Sequence, residues 1–127
     1  MALTATHGIS WDEYLQLPLT HYEILDGEVN ALPTPLFKHQ KIVSELMIRL
    51  GGQIHRDAKG YLVPAPYDVV IRRAPLRTRQ PDLLFISRER ADQIPDLQNQ
   101  PRIEIAPELV IEVLSPSDTA SEWLEKL

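Results

Sequence analysis

Pro107-Glu108-Leu109-Val110-Ile111-Glu112-Val113-Leu114-Ser115-Pro116-Ser117 is the stretch that decides how this chain folds. Leu109 to Leu114 is apolar and rich in β-branched residues, bounded by Pro107 and by Ser115-Pro116-Ser117. That is the pattern of a strand in the middle of a sheet, apolar on both faces. Glu112 interrupts it, and an ionised carboxylate is costly to desolvate unless it is paired or holds a metal. Gln80-Pro81-Asp82-Leu83-Leu84-Phe85-Ile86 repeats the arrangement, with an acid at the mouth of another apolar run. Two acids on two core strands point to a metal site.

Composition sets the outer bounds. At 127 residues the chain is long enough for one sizeable core and too short for two, so a single domain over 1–127 is expected. No cysteine is present, which excludes a disulfide framework and a thiolate zinc site and fits a reducing cytoplasm. Met1-Ala2-Leu3-Thr4-Ala5-Thr6-His7 lacks the basic start and long apolar stretch of a signal peptide. No apolar run approaches the ~20 residues of a membrane-spanning helix, so no membrane partner is expected. A net charge of −5 argues against a generic polyanion binder, while leaving room for a local basic patch. Aromatic residues make up only 6%, too few for stacking platforms on single strands.

Taken in order, Ser10-Trp11-Asp12-Glu13 fits a capping box and predicts a short helix through Leu17, ending before Pro18. Asp26-Gly27, between Tyr22–Leu25 and Glu28–Leu32, predicts a tight hairpin. Thr34-Pro35 reads as N-cap and first position of a longer helix. Ile42, Val43, Leu46, Met47, Leu50 and Ile54 give that helix one apolar face. Gly51-Gly52 should weaken it by roughly 0.5–1 kcal/mol per glycine, predicting a break or kink, with Gly60 as its stop. Strands are expected at 61–63 and 67–71, followed by a loop carrying Arg72, Arg73, Arg77 and Arg79. After the strand from Asp82 to Ile86, residues 87–99 read as a short helix and loop. Ser115-Pro116-Ser117-Asp118 and Thr119-Ala120-Ser121-Glu122 both fit helix-start patterns, so a last helix should run through Trp123 and Leu124.

Period-two alternation places Asp82 on a face with Leu84 and Ile86, and Glu112 with Val110 and Leu114. If the two strands are neighbours, both carboxylates converge at one end of the sheet. Hard oxygen ligands without cysteine suit Mg²⁺ or Mn²⁺. Such an ion would polarise a phosphodiester and acidify a bound water, and a nearby ammonium would stabilise the developing charge. Lys126, on the final helix, is the candidate for it. The plainer alternatives stay open: Asp82 capping a strand or pairing with Arg79, Glu112 pairing with an arginine, and Lys126 pairing with Glu122 on the helix surface. Glu23 and His39 could stand near the mouth of the site. Asp68 is equally a further ligand or a turn residue after Pro66. The four arginines suit phosphate contacts beside the site, or a simply solvated loop.

Pro81-Asp82 and Glu112 within Val110-Ile111-Glu112-Val113-Leu114-Ser115-Pro116-Ser117 resemble the bacterial "putative restriction endonuclease" family of unknown function, a branch of the PD-(D/E)XK nuclease-like superfamily. Trp11-Asp12-Glu13-Tyr14-Leu15, Tyr22-Glu23-Ile24-Leu25-Asp26-Gly27-Glu28-Val29, His39-Gln40, Tyr67-Asp68-Val69 and Glu125-Lys126-Leu127 are similar to further landmarks of that family. The resemblance implies an α/β (α+β) fold: a restriction-endonuclease-like mixed sheet flanked by helices, with residues 38–57 as its first core helix. It implies Asp82 and Glu112 as metal ligands, with the Val113 carbonyl as a third. In the superfamily pattern a lysine follows the second acid by two residues, where this chain has Leu114. Family cases in which the lysine has moved to the next helix nominate Lys126, a point charge on a flexible stem.

Family members continue through a further core strand, so the C-terminal core strand is expected to be absent here and the chain to be truncated. The unpaired edge this would leave invites a homodimer or another partner. The functional expectation is a Mg²⁺- or Mn²⁺-dependent nuclease acting on DNA, with Asp82, Glu112 and Lys126 as its catalytic residues. The alternative is an inactive or truncated nuclease-fold protein acting as a binding or interaction domain.

Overall fold

The computed structural model describes residues 8–18 and 21–115. The last helix expected from the sequence, and Lys126 with it, lie outside the described residues.

Short-range signals fix the first elements. Helix α1 (Trp11–Gln16) is capped as its sequence dictates: Ser10 Oγ accepts from the Glu13 amide and the Ser10 amide donates to Glu13 Oε1, both at 3.1 Å. Strands β1 (Tyr22–Leu25) and β2 (Glu28–Ala31) form the predicted hairpin, with Asp26 and Gly27 both at positive φ. Gly27 has no room for a side chain, because a Cβ there would stand 2.9 Å from the Gly8 Cα.

The longer helix, α2 (Phe37–Arg56), departs from expectation at both ends. It starts after Leu36, which supplies no side-chain cap, rather than at Thr34-Pro35. Thr34, Pro35 and Leu36 instead line a cleft. The helix also runs unbroken through Gly51-Gly52. Its half-buried face, including Val43, Leu46, Met47, Leu50 and Ile54, packs on β3 (Gly60–Pro64), and this tertiary contact outweighs the intrinsic cost of two glycines. Gly60 is not the helix stop; Asp57 is the C-cap. Gly60 opens β3 opposite Ser87, where a Cβ would fall 2.2 Å from the Ile86 carbonyl oxygen.

The four-arginine segment is a hairpin, not a loop. Strand β4 (Asp68–Arg73) turns at Ala74-Pro75 into β5 (Leu76–Arg79). Leu76 and Thr78 are buried while Arg77 and Arg79 are half-exposed, the period-two pattern of a strand with one face in the core. Strand β6 (Leu83–Ser87) leads into the short helix α3 (Arg88–Ala91) and a 3₁₀ turn (Leu97–Asn99), as expected for residues 87–99. Strands β7 (Arg102–Ile103) and β8 (Leu109–Ile111) complete the described elements.

The strands form a mixed five-stranded sheet, β2-β1-β5-β4-β7, in which β7 runs parallel to β4, and a three-stranded sheet, β3-β6-β8. Strand β4 joins the two cores. Val70 packs with Ile9, Tyr14, Tyr22, Ile24 and Leu76 under α1, while its neighbour Val69 packs with Leu84, Ile86, Ala91 and Ile103. Strand β8 lies within the apolar run Leu109–Leu114. Among the described residues it pairs only with β6 and forms a sheet edge, with Leu109 and Val110 each 50% exposed. No helix of the described residues is long and apolar enough to cross a membrane.

Candidate active-site cleft

Strands β6 and β8 pair antiparallel with Leu83 opposite Ile111 and Leu84 opposite Val110. Asp82 and Glu112 are the next residues along each strand at the same end of this ladder. The two acids, 30 positions apart in the chain, therefore stand across from each other at the mouth of the sheet. The same register puts Leu84 and Val110 side by side, so the two acid-bearing faces are one face, as the alternation predicts.

Both acids line a cleft of about 620 Å³. Its other walls come from the start of α2 (His39, Gln40, Val43), from residues 32–36 and from Pro64-Ala65-Pro66. His21 and Gln80 also reach it. His39 faces inward: its Nε2 lies 3.2 Å from Asp82 Oδ2, and its Nδ1 lies 2.9 Å from Gln40 Oε1. Desolvation resists protonation of the ring, but the contacts with Gln40, Asp82 and the Val113 backbone outweigh it and lift the His39 pKa above the ordinary imidazole value. The Val113 amide donates to the same Asp82 Oδ2 at 2.7 Å. Asp82 thus neither caps a strand in isolation nor pairs with Arg79. Both its contacts fall on Oδ2, and Oδ1 has no partner among the described residues.

Beneath the cleft lies a buried polar network that the sequence does not announce. Glu23 and Asp68 are each 3% exposed, and Gln80 joins them. The Gln80 amide donates to Glu23 Oε2 at 2.8 Å, and its side-chain Nε2 donates to Asp68 Oδ1 at 2.7 Å. Tyr14 donates its hydroxyl to Asp68 Oδ2 at 2.7 Å and accepts from Arg102 Nε at 3.1 Å. Burial, with the Asp68 carboxylate beside it, raises the Tyr14 pKa well above that of a free phenol. Gln80 Oε1 meets His21 Nδ1 at 3.1 Å. Both Asp68 oxygens are thus engaged in hydrogen bonds, and Glu23 is a buried acid. Gln80 and His21 line the cleft as well, and sequence reasoning misses both. Gln80 gives one signal, a polar residue immediately before Pro81-Asp82 and the apolar run.

The four arginines are taken up by carboxylates. Arg72 and Arg77 both pair with Asp26. Arg73 forms a two-pronged contact with Glu104, at 2.7 and 2.9 Å, and lies over the Trp11 ring. Arg79 is 3.9 Å from Glu23.

The donors at the mouth are carboxylate oxygens and an imidazole, with no thiolate. Mg²⁺ is held by one or two carboxylates plus waters and substrate oxygens, so this set fits a hard divalent ion. Among the described residues no three His, Cys, Asp or Glu side chains gather closely enough to hold an ion by themselves.

The crystal structure described as that of a putative nuclease belonging to DUF820 from Anabaena variabilis superposes with a TM-score of 0.78 at 22% sequence identity. The match covers 93% of this chain and spans 65% of the length of that one. This likeness shows the fold: a mixed α/β architecture of the kind expected. No curated protein matches the chain. A family model, Uma2, described as "Putative restriction endonuclease", matches residues 11–127, and the chain belongs to that family.

Proposed function

We propose that this protein is a divalent-metal-dependent nuclease that hydrolyses phosphodiester bonds of DNA in the cleft between α2 and the β6–β8 ladder. The observation that carries the reading is the pairing of Asp82 and Glu112 at one end of that ladder, inside the cleft, where Asp82 Oδ1 has no partner among the described residues. Family membership supports it.

Asp82 and Glu112 would hold Mg²⁺ or Mn²⁺. A bound ion of this kind polarises a phosphoryl oxygen and makes a bound water more acidic. His39 and the Val113 amide fix the Asp82 carboxylate through Oδ2, and Asp82 lines the cleft. Gln80, anchored at both ends on Glu23 and Asp68, sets the backbone that carries Pro81-Asp82. Fixed carboxylates of this kind are what positions a substrate without reorganisation during reaction. Lys126 is assigned the stabilising cation by the same reading.

A second reading is an inactive member of the family that kept the fold as a binding or interaction domain. It is favoured by the absence of a third ligating side chain among the described residues. Incubation of the purified chain with supercoiled plasmid and Mg²⁺ or Mn²⁺ separates the two. The nuclease reading expects nicked or linear product that disappears with EDTA and with Asp82→Ala. An intact plasmid, or cleavage unchanged by Asp82→Ala, would contradict it.

A further inference from the structure

The hairpin arginines are the obvious candidates for phosphate contacts, yet each is already paired with a carboxylate. The chain holds a second concentration of positive charge. Helix α2 carries Lys38, Lys41, Arg49 and Arg56 against a single acid, Glu45, in a protein whose net charge is −5. All four basic residues are exposed. Among the described residues Lys38, Lys41 and Arg56 have no carboxylate partner, and Arg49 has only the exposed surface pair with Glu45 at 3.5 Å.

Their spacing makes a line. At 100° per residue, Lys38, Arg49 and Arg56 fall within about 20° of one another around the helix, and Lys41 lies about 60° to one side. The line runs about 27 Å, the length of roughly eight base-pair steps at 3.4 Å. Its first members flank His39 and Gln40, which line the cleft. The sheet-facing residues Val43, Leu46, Leu50 and Ile54 occupy a different side of the helix, so the basic line is not needed for packing.

We propose that the outer face of α2 is the docking surface for duplex DNA, with Lys38, Lys41, Arg49 and Arg56 contacting phosphates and the helix start delivering the strand to the cleft. The inference rests on the nuclease reading for its choice of partner, but the surface is defined by charge alone. Phosphate contacts of this kind supply sequence-independent affinity, and their number sets the salt dependence.

The test is fluorescence anisotropy with a labelled 20-base-pair duplex and the full chain, in Ca²⁺ or EDTA to suppress cleavage. The parent chain should bind. K38Q/K41Q/R56Q should weaken binding roughly tenfold or more and reduce the slope of log K against log salt by about 0.9 for each phosphate no longer neutralised. Arg73→Gln, on the hairpin, should leave binding unchanged, and circular dichroism should show each variant folded. The proposal is overturned if the parent chain does not bind, if the triple variant binds like the parent, or if Arg73→Gln carries the loss. A single strand of equal length binding more tightly than the duplex would also overturn it. Binding that depends on α2, in a chain that never cuts plasmid in Mg²⁺, would uphold this surface while refuting the nuclease reading.

Discussion

Asp82 and His39, 43 residues apart in the chain, meet at 3.2 Å through one carboxylate oxygen, Oδ2, which also accepts the Val113 amide. Three elements, α2, β6 and the end of β8, thereby converge on one atom. Among the described residues both contacts fall on that one oxygen, so under the proposed metal site the other oxygen would be the one offered to the ion.

Gln80 sets the approach to that carboxylate. Gln80→Ala would keep the backbone donor to Glu23 but leave Asp68 Oδ1 buried without its donor and His21 without its partner. Losing a buried hydrogen bond to a charged group costs about 1.5–3 kcal/mol. Urea denaturation should show that loss, and plasmid cleavage should fall because Asp82 lies two residues on.

Tyr14→Phe is a cleaner probe of the same network. The ring is fully buried, so its packing survives, and only the hydroxyl between Asp68 and Arg102 is removed. A destabilisation of about 1–3 kcal/mol is expected, read as a lower urea midpoint at unchanged slope.

Gly60 tests the register of the second sheet. Gly60→Ala would place a Cβ 2.2 Å from the Ile86 carbonyl oxygen and 2.8 Å from the Ser87 Cα, both backbone atoms that cannot move without breaking the β3–β6 pairing. The expected cost is about 2–4 kcal/mol, in the range of backbone strain and overpacking, measured by thermal or urea unfolding.

The Arg73–Glu104 pair gives a pH signature. Hydrogen bonding to Arg73 holds the Glu104 pKa below the ordinary carboxylate value of 4.5. A group whose pKa is depressed on folding adds stability above its unfolded pKa and loses it as pH falls through the folded one. The pair is about half exposed, so solvent screening keeps its contribution small. Glu104→Gln should therefore be slightly less stable than the parent at pH 7, and the difference should vanish once pH drops well below 4.5.

Much of this architecture is legible in the chain because its signals are local. The Ser10 capping box and the Asp26-Gly27 turn are decided within four residues, and both form as expected. The Asp82 and Glu112 faces are readable because strand alternation survives any tertiary context. Expectation and structure part where long-range packing decides. The start of α2 is set by the cleft that Thr34, Pro35 and Leu36 line, and Gly51-Gly52 stays helical because α2 rests on β3. The arginine segment reads as a loop because its charges mask the buried Leu76 and Thr78 alternation. The Glu23–Gln80–Asp68 network joins residues 12 to 57 positions apart, and nothing in any one segment announces it.

The central claim is that Asp82 and Glu112 share a divalent ion, and Mn²⁺ tests it most directly. Crystals soaked in Mn²⁺ should show an anomalous peak between the two carboxylates, and that peak should be lost in Asp82→Asn. A fully exchanged crystal with no peak between Asp82 and Glu112, or a peak that persists in Asp82→Asn, would contradict the account.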